Sequence, residues 1–304
     1  MTAQASTPPV PAYGSATPTA EIEITADLVR SLLVAQHPDL ADLPISFAAS
    51  GWDNAMFRLG QDLAVRLPRR EAALSFSVSE QRWLPTLSLP LKTPTPLRLG
   101  QPGSGFPWPW SVVPWIEGET ADLDQPDADQ GQALAGFFRA LHVPAPNEAP
   151  LNPYRGVPLN VRVPLLEPRL EFLAGKTGLV TPAHLAMWQR ALAAPMDAQP
   201  TWLHGDPHPR NVVVNAGKLV AFIDWGDMTR GDPAGDLGAI WMLLADRRAR
   251  QTAMTTYGAS EATWDRARGW AFVYGVTLLA TGLVDDPRMA TIAERTLANL
   301  LAGP

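Results

Sequence analysis

The sequence predicts an α+β chain of two lobes, a small antiparallel sheet crossed by one helix followed by a larger, mainly helical part. Three observations carry that reading. A length of 304 residues exceeds what one ordinary core holds. Short runs of alternating apolar residues crowd the first third, and helical periodicity dominates after residue 116. The expected division is a disordered tail over 1–20, an N-terminal lobe over 21–115 and a C-terminal lobe over 116–304.

The elements follow in order. Met1 to Ala20 is small, polar and proline-bearing, without the basic start and apolar middle of a secretory signal, and reads as the tail. Thr25 can cap a helix reaching Gln36, whose apolar residues recur at helical spacing. Three strands are expected at Ile45 to Ala49, Ala55 to Leu59 and Leu63 to Leu67, split by Ser50-Gly-Trp-Asp-Asn54 and by Gly60-Gln-Asp62. Glu71 to Leu84 reads as the crossing helix, stopped by Pro85, which has no amide hydrogen to donate. Leu97 to Leu99 and Trp110 to Val113 complete the sheet. Helices are then expected at Gln130 to His142, Pro164 to Ala174, Pro182 to Leu192 and over most of Asp236 to Leu301, interrupted by Leu203 to Asp224.

Composition narrows the function. The apolar fraction is 46%, yet no apolar run reaches the roughly 18 residues of a spanning helix, so no membrane partner is expected. With no cysteine there is no disulfide framework or thiolate metal site, and the cytoplasm is the default compartment. A formal charge of −6 argues against nucleic acid and suits, weakly, a cationic substrate.

The chemistry concentrates in the interruption. Asp206 and Asn211 flank prolines 207 and 209, which forbid a regular helix and leave a loop of fixed, irregular course. Val212 to Val214, the turn Asn215-Ala-Gly-Lys218 and Leu219 to Ile223 then read as a hairpin that brings Asp224 back toward Asn211. A carboxylate and an amide oxygen are hard ligands suited to Mg²⁺, which takes water and substrate phosphates for its remaining positions. Asp206 is left to orient an attacking hydroxyl and accept its proton.

His204-Gly-Asp206 with Asn211, then Ile223-Asp-Trp225, then Gly231-Asp-Pro-Ala-Gly-Asp-Leu237 resembles the aminoglycoside and macrolide phosphotransferases, which share the protein-kinase-like fold. The resemblance spans roughly residues 25 to 304. It implies a bilobal protein-kinase-like fold and an enzyme moving a γ-phosphoryl group from ATP or GTP to a hydroxyl of a small molecule, whether aminoglycoside, macrolide or unrelated metabolite. It carries Asp206 over as base, and Asn211 and Asp224 as Mg²⁺ ligands. Arg66 stands where the family has lysine to grip the nucleotide phosphates, with Glu80 on the next helix as its partner. Gly51 and Asn54 lie in the phosphate loop, where Asp53 is expected to point away. Val112 to Gly118 resembles the connector between lobes, with Val113 and Trp115 beside the purine and Pro114 lacking one donor.

Plainer readings stand beside these. His204 braces the loop, whereas His208 is either a loop residue or a group near substrate. Asp232 before Pro233 has the form of a helix cap, and Asp236 reads as a brace for the catalytic loop rather than a ligand. The tryptophan-rich run Phe106 to Trp115 fills a core or lines an aromatic cleft. The acidic run Asp122 to Asp129 reads as a solvated loop, and Asp246 to Arg250 as an exposed helical face. Two rival functions also remain at this stage: a nucleotide-binding pseudokinase, motivated by Arg66 and the glycine-poor loop, and a metal-dependent hydrolase built on His204, His208, Asp206 and Asp224.

Overall fold

In the computed structural model, residues 19–303 are described, so the tail expected over 1–20 lies almost wholly outside the described residues. Helix α1 (Ala26–Gln36) starts where Thr25 Oγ1 accepts the Leu28 amide at 3.2 Å. Its buried face of Val29, Leu32 and Leu33 joins Phe57, Val65, Trp110 and Val112 in one apolar cluster. Each such aliphatic side chain contributes on the order of 1.5–3 kcal/mol by leaving water.

The sheet beside it has five antiparallel strands, β1 (Ile45–Ser50), β2 (Asn54–Leu59), β3 (Leu63–Pro68), β4 (Arg98–Gly100) and β5 (Trp110–Pro114), in the order β1-β2-β3-β5-β4. Between β3 and β4 runs α2 (Leu74–Trp83), preceded by a 3₁₀ turn over Glu71–Ala73 and ended by another, Leu84–Thr86, that contains Pro85. Trp83, Leu84, Leu87, Leu89 and Leu91 pack against a second, larger apolar cluster formed mostly by residues after 120. The crossing helix is thus the piece of the first part that is anchored on the second.

That second part contains α3 (Gly131–Leu141), α4 (Val163–Ala174), α5 (Pro182–Ala193), α6 (Ala234–Leu237), α7 (Ala239–Leu243), α8 (Arg247–Tyr257), α9 (Glu261–Gly282) and α10 (Pro287–Leu301). Helix α9 is buried on nearly every side, as a helix that is apolar all round must be. Its apolar residues pack with those of α5, α7 and α10 in the larger cluster. Among the described residues no helix is long and apolar enough to cross a membrane.

Three short strands were not expected from the sequence. β6 (Glu119–Thr120) pairs with β8 (Val212–Asn215), which forms the expected hairpin with β9 (Lys218–Phe222). β7 (Thr201–Leu203) pairs with β10 (Thr229–Gly231). Strands of two or three residues show no alternation of their own and exist only through distant partners.

One other expectation needs correction. Arg250 is not on an exposed face: it is 1% exposed and donates to the carbonyls of Leu244, Ala245 and Gly303, while Asp246 caps α8 through the Ala249 amide. Of the tryptophan-rich run, Trp108 and Trp110 are core residues, as the plainer reading held. The acidic run is a loop whose charges are met by Lys218 and Arg288.

Candidate active site

The loop after β7 is built around Gly205. Its φ of +89° is costly for any residue with a side chain, and an added Cβ would lie 2.2 Å from the Asp227 carbonyl oxygen. Asp236, fully buried at the start of the α6–α7 segment, accepts the amides of His204 (2.7 Å) and Gly205 (2.9 Å). Tyr274 of α9 donates its hydroxyl to the Gly205 carbonyl at 2.7 Å. The His204 ring accepts the Asp206 amide at Nδ1 (3.2 Å), so Nε2 carries the hydrogen and donates to the Ile223 carbonyl at 3.0 Å. His204 and Asp236 therefore brace the loop as expected. With both His204 nitrogens engaged, the histidine pair of the hydrolase reading loses one ligand.

Asn211 ends a 3₁₀ turn, Pro209–Asn211, and donates its side-chain nitrogen to the Asp206 carbonyl at 2.9 Å. Its own carbonyl accepts the Ile223 amide at 2.9 Å, which ties the loop to the end of β9. Asp224 follows there in the left-handed region (φ 59°, ψ 70°), a backbone state that a non-glycine residue adopts at a cost of about 1–3 kcal/mol. Its carboxylate is more than half exposed, and Arg66 Nη2 reaches it at 3.2 Å.

Arg66 is 8% exposed on β3 and gives its other terminal nitrogen to both oxygens of buried Glu80 on α2. The Asn54 amide, turned as its neighbours require, accepts Arg66 Nε at 3.2 Å and Nη2 at 3.0 Å. Burial works against the Arg66 cation, but the facing charges of Glu80 and Asp224 outweigh it and push its pKa above the ordinary value.

A cleft of about 620 Å³ collects Gly51, Asp206, Asn211 and Asp224 on its walls, together with His208. Arg66, Glu80 and Asn54 stand behind Asp224 rather than on the cleft surface. Asp53 does border the cleft, contrary to expectation, but Arg70 engages its carboxylate at 2.5 and 3.0 Å. Val113 pairs with Ala64 inside the sheet, and Trp115 spends its amide on the Asp62 carbonyl at 2.7 Å. Neither lines this cleft. The aromatic residue that does so from the phosphate loop is Trp52, which is exposed. Burial pushes His208 below its ordinary pKa, and its Nε2 lies 3.5 Å from Asp206.

Sequence reasoning missed the opposite wall. Asn152 Oδ1 accepts the amides of Tyr154 and Arg155 in a tight polar turn, and its side-chain nitrogen holds Asp227 at 2.8 Å. Arg155 then bridges Asp227 (3.2 Å) and Asp206 (2.8 Å) with its guanidinium over the Tyr274 ring. Burial opposes the Arg155 cation, yet Asp206 and its other anionic neighbours raise its pKa above the ordinary value. The run Asn152-Pro-Tyr-Arg-Gly156 contains turn-forming residues, but nothing in its spacing points to Asp206. Asp232 likewise accepts the Ala234 amide (3.2 Å) in the manner of a cap, and in addition holds buried Arg266 at 2.7 and 3.0 Å.

A profile described as the phosphotransferase enzyme family, APH, matches residues 44–270. The chain belongs to that family. It is a phosphotransferase by family, with a protein-kinase-like fold. Solved structures of similar fold include the GDP and kanamycin complex of APH(2")-IIIa, at 18% identity over 90% of this chain and 98% of that one, with a TM-score of 0.64. Spectinomycin phosphotransferase APH(9)-Ia with ADP and spectinomycin is 13% identical, covering 92% and 99% with a TM-score of 0.64. Macrolide 2'-phosphotransferase MphH from Brachybacterium faecium is 17% identical, covering 89% and 97% with a TM-score of 0.56. Among curated proteins none matches the sequence.

Proposed function

We propose that the chain transfers the γ-phosphoryl group of ATP or GTP to a hydroxyl of a small molecule, with Asp206 as the base. The observation that carries this is the meeting of Asp206, Asn211 and Asp224 on one cleft, with Arg66 bonded to Asp224. Similar folds described with GDP and with ADP support a purine nucleotide as donor.

Asn211 and Asp224 fit a magnesium ion. Asn211 spends its nitrogen on the Asp206 carbonyl, which leaves its oxygen as the free end, and Asp224 is well exposed. No group of three His, Cys, Asp or Glu side chains suited to a metal occurs among the described residues, a donor set that leaves the other positions to phosphate and water. When bound there, the ion would neutralise charge on the transferred phosphoryl group.

Asp206 orients the acceptor hydroxyl and takes its proton, while Arg155 holds the carboxylate in place. Arg66, kept rigid by Glu80 and Asn54, grips the phosphates in the role the family gives to lysine, since a guanidinium can hold two oxygens at once. Gly51 lets the backbone approach the phosphates. Purine contacts along Val113 to Trp115 exclude the Trp115 amide, which is already bonded. The lobes divide near residue 116, with Trp83 to Leu91 seated on the second.

The test is Mg²⁺-dependent nucleotide binding and turnover across aminoglycosides, macrolides, amino alcohols and sugars with both ATP and GTP. Asp206→Asn should keep binding and lose transfer, whereas Asp224→Ala should lose Mg²⁺-dependent binding. Wild-type binding with no transfer to any acceptor would favour the pseudokinase that the arginine at position 66 motivates.

A further inference from the structure

Four arginines are buried among the described residues, and three of them are saturated with acceptors. Arg66 has Glu80, Asp224 and Asn54, Arg250 has three carbonyls, and Arg266 has Asp232 and Asp197. Arg162 differs. It ends the 3₁₀ turn Leu159–Arg162, is 7% exposed, and borders the cleft, yet its Nε and Nη1 are buried without any hydrogen-bond partner. The ring faces of Tyr154 and Trp270 stand 5.8 Å from its charge.

The surrounding charges make this costlier still. Burial, then the like charges of Arg155 and Arg169, push the Arg162 pKa down to about 10, which leaves it a cation at neutral pH. Arg155 and Arg169 border the same cleft. The carboxylates there are engaged elsewhere: Asp206 and Asp227 by Arg155, Asp224 by Arg66, Asp286 by Arg210 and Asp53 by Arg70. Asp285 is exposed. A buried guanidinium with orphaned donors among like charges is stabilised by any anion that accepts from it.

We infer that the phosphoryl acceptor is an anionic hydroxy compound, whose carboxylate or phosphate group docks on Arg162 at the basic wall of the cleft. This rests on the kinase reading above. It departs from the expectation of a cationic substrate drawn from net charge, and it does so on one unpaired guanidinium rather than on the total charge of the cleft, which six aspartates and four arginines border. Arg155 links the two ends of the site, since it borders the cleft with Arg162 and forms an ion pair with Asp206 at 2.8 Å. An acceptor anchored at Arg162 therefore lies one arginine away from the base. A polycation docked at Arg162 would meet that guanidinium with Arg155 and Arg169 on the same cleft, while Asp206, Asp227 and Asp286 there are already paired with arginines.

The experiment titrates the protein in the presence of Mg-ADP with matched pairs, glycerate against glyceramide and glucose 6-phosphate against glucose, with kanamycin as the polycation. Anionic members should bind and raise Tm where their neutral partners and kanamycin do not. Arg162→Met should weaken anion binding by about tenfold or more, with Arg162→Lys recovering part of it. Mg-ADP affinity should stay unchanged in both variants, and the unliganded Arg162→Met protein should melt no lower than wild type, which a merely structural arginine would not allow. Three results overturn the inference: neutral members or kanamycin binding as well as the anions, anion affinity surviving Arg162→Met, or Mg-ADP affinity falling with it, which would give Arg162 to the nucleotide phosphates. A wild-type protein that takes the anion and not Mg-ADP overturns the kinase reading and keeps the anion site.

Discussion

Two arginines hold aspartates of the cleft, Arg66 from behind Asp224 and Arg155 from the wall beside Asp206, and they are supported in opposite ways. Arg66 reaches Asp224 from a buried position where Glu80 and Asn54 take up its remaining donors. Arg155 reaches Asp206 with Asp227 behind it, but its next neighbour is Arg162, a buried cation with two unpaired donors. Saturated on three sides, the sheet-side cation is part of the scaffold and can be rigid before any ligand arrives. On the helical side two Arg162 donors have no acceptor, so that wall gains most from a ligand that supplies one.

The sharpest break in this comparison is at the two aspartates. Asp206→Asn leaves Arg155 a neutral acceptor of similar shape and should lower kcat by about 10²–10⁴, the usual worth of a positioned general base. Nucleotide affinity, measured by titration calorimetry, should hardly change. If Asp206→Asn instead weakens nucleotide binding as Asp224→Ala does, the division of labour between the walls is wrong.

Next come the supports. Glu80→Ala leaves the Arg66 guanidinium partly uncompensated in a buried site and should cost about 3–5 kcal/mol in urea unfolding, toward the lower end because Asp224 and Asn54 remain. Arg162→Met should move the other way or not at all, since it replaces an unpaired buried charge with a similar apolar volume. Equal losses in the two variants would mean that the cleft walls do not differ as described.

Gly205→Ala should be smaller in stability than in rate. The positive φ costs about 1–3 kcal/mol, and the added methyl must displace the Asp227 carbonyl, which shifts the Arg155–Asp206 pair. The expected signature is a kcat fall with nucleotide affinity retained.

The smallest effect lies away from the cleft, in the paired cluster of Arg266. Asp197 accepts from Ser260, Arg266 and Thr263, and these contacts hold its pKa down at about 2. A depressed carboxyl contributes stability above its unfolded pKa of about 3.9 and loses it as pH falls toward about 2. Asp197→Asn should therefore flatten the acid limb of the stability curve in that window and leave pH 7 behaviour of the cleft unchanged. The effect should weaken in high salt, because the Asp197 side chain is about a third exposed.

The motif-bearing wall was legible because its information is local. Prolines 207 and 209 and the Asn215–Lys218 turn fix the loop and hairpin on which Asp206, Asn211 and Asp224 sit, and short-range backbone rules are enough to read them. The Arg66–Glu80 pair was implied by the family resemblance, with which the order of strand and helix agrees. The family resemblance then supplied roles that spacing alone leaves open.

The remaining features have no local signature. β7 and β10 are three residues each and acquire meaning only when Leu203 meets Thr229. Arg250, read from its charged neighbours as surface, is buried because three carbonyls converge on it from separate stretches of chain. Arg162 looks in sequence like any other arginine. Its burial beside Tyr154 and Trp270, with no carboxylate assigned to it, is set by packing between a loop and α9. The sequence by itself determined most of the elements and the loop and hairpin that carry Asp206, Asn211 and Asp224, since backbone geometry and motif spacing act over a few residues. Which charges are paired and which are left waiting was decided by tertiary structure, because charge pairing depends on distance in space and on exclusion of water.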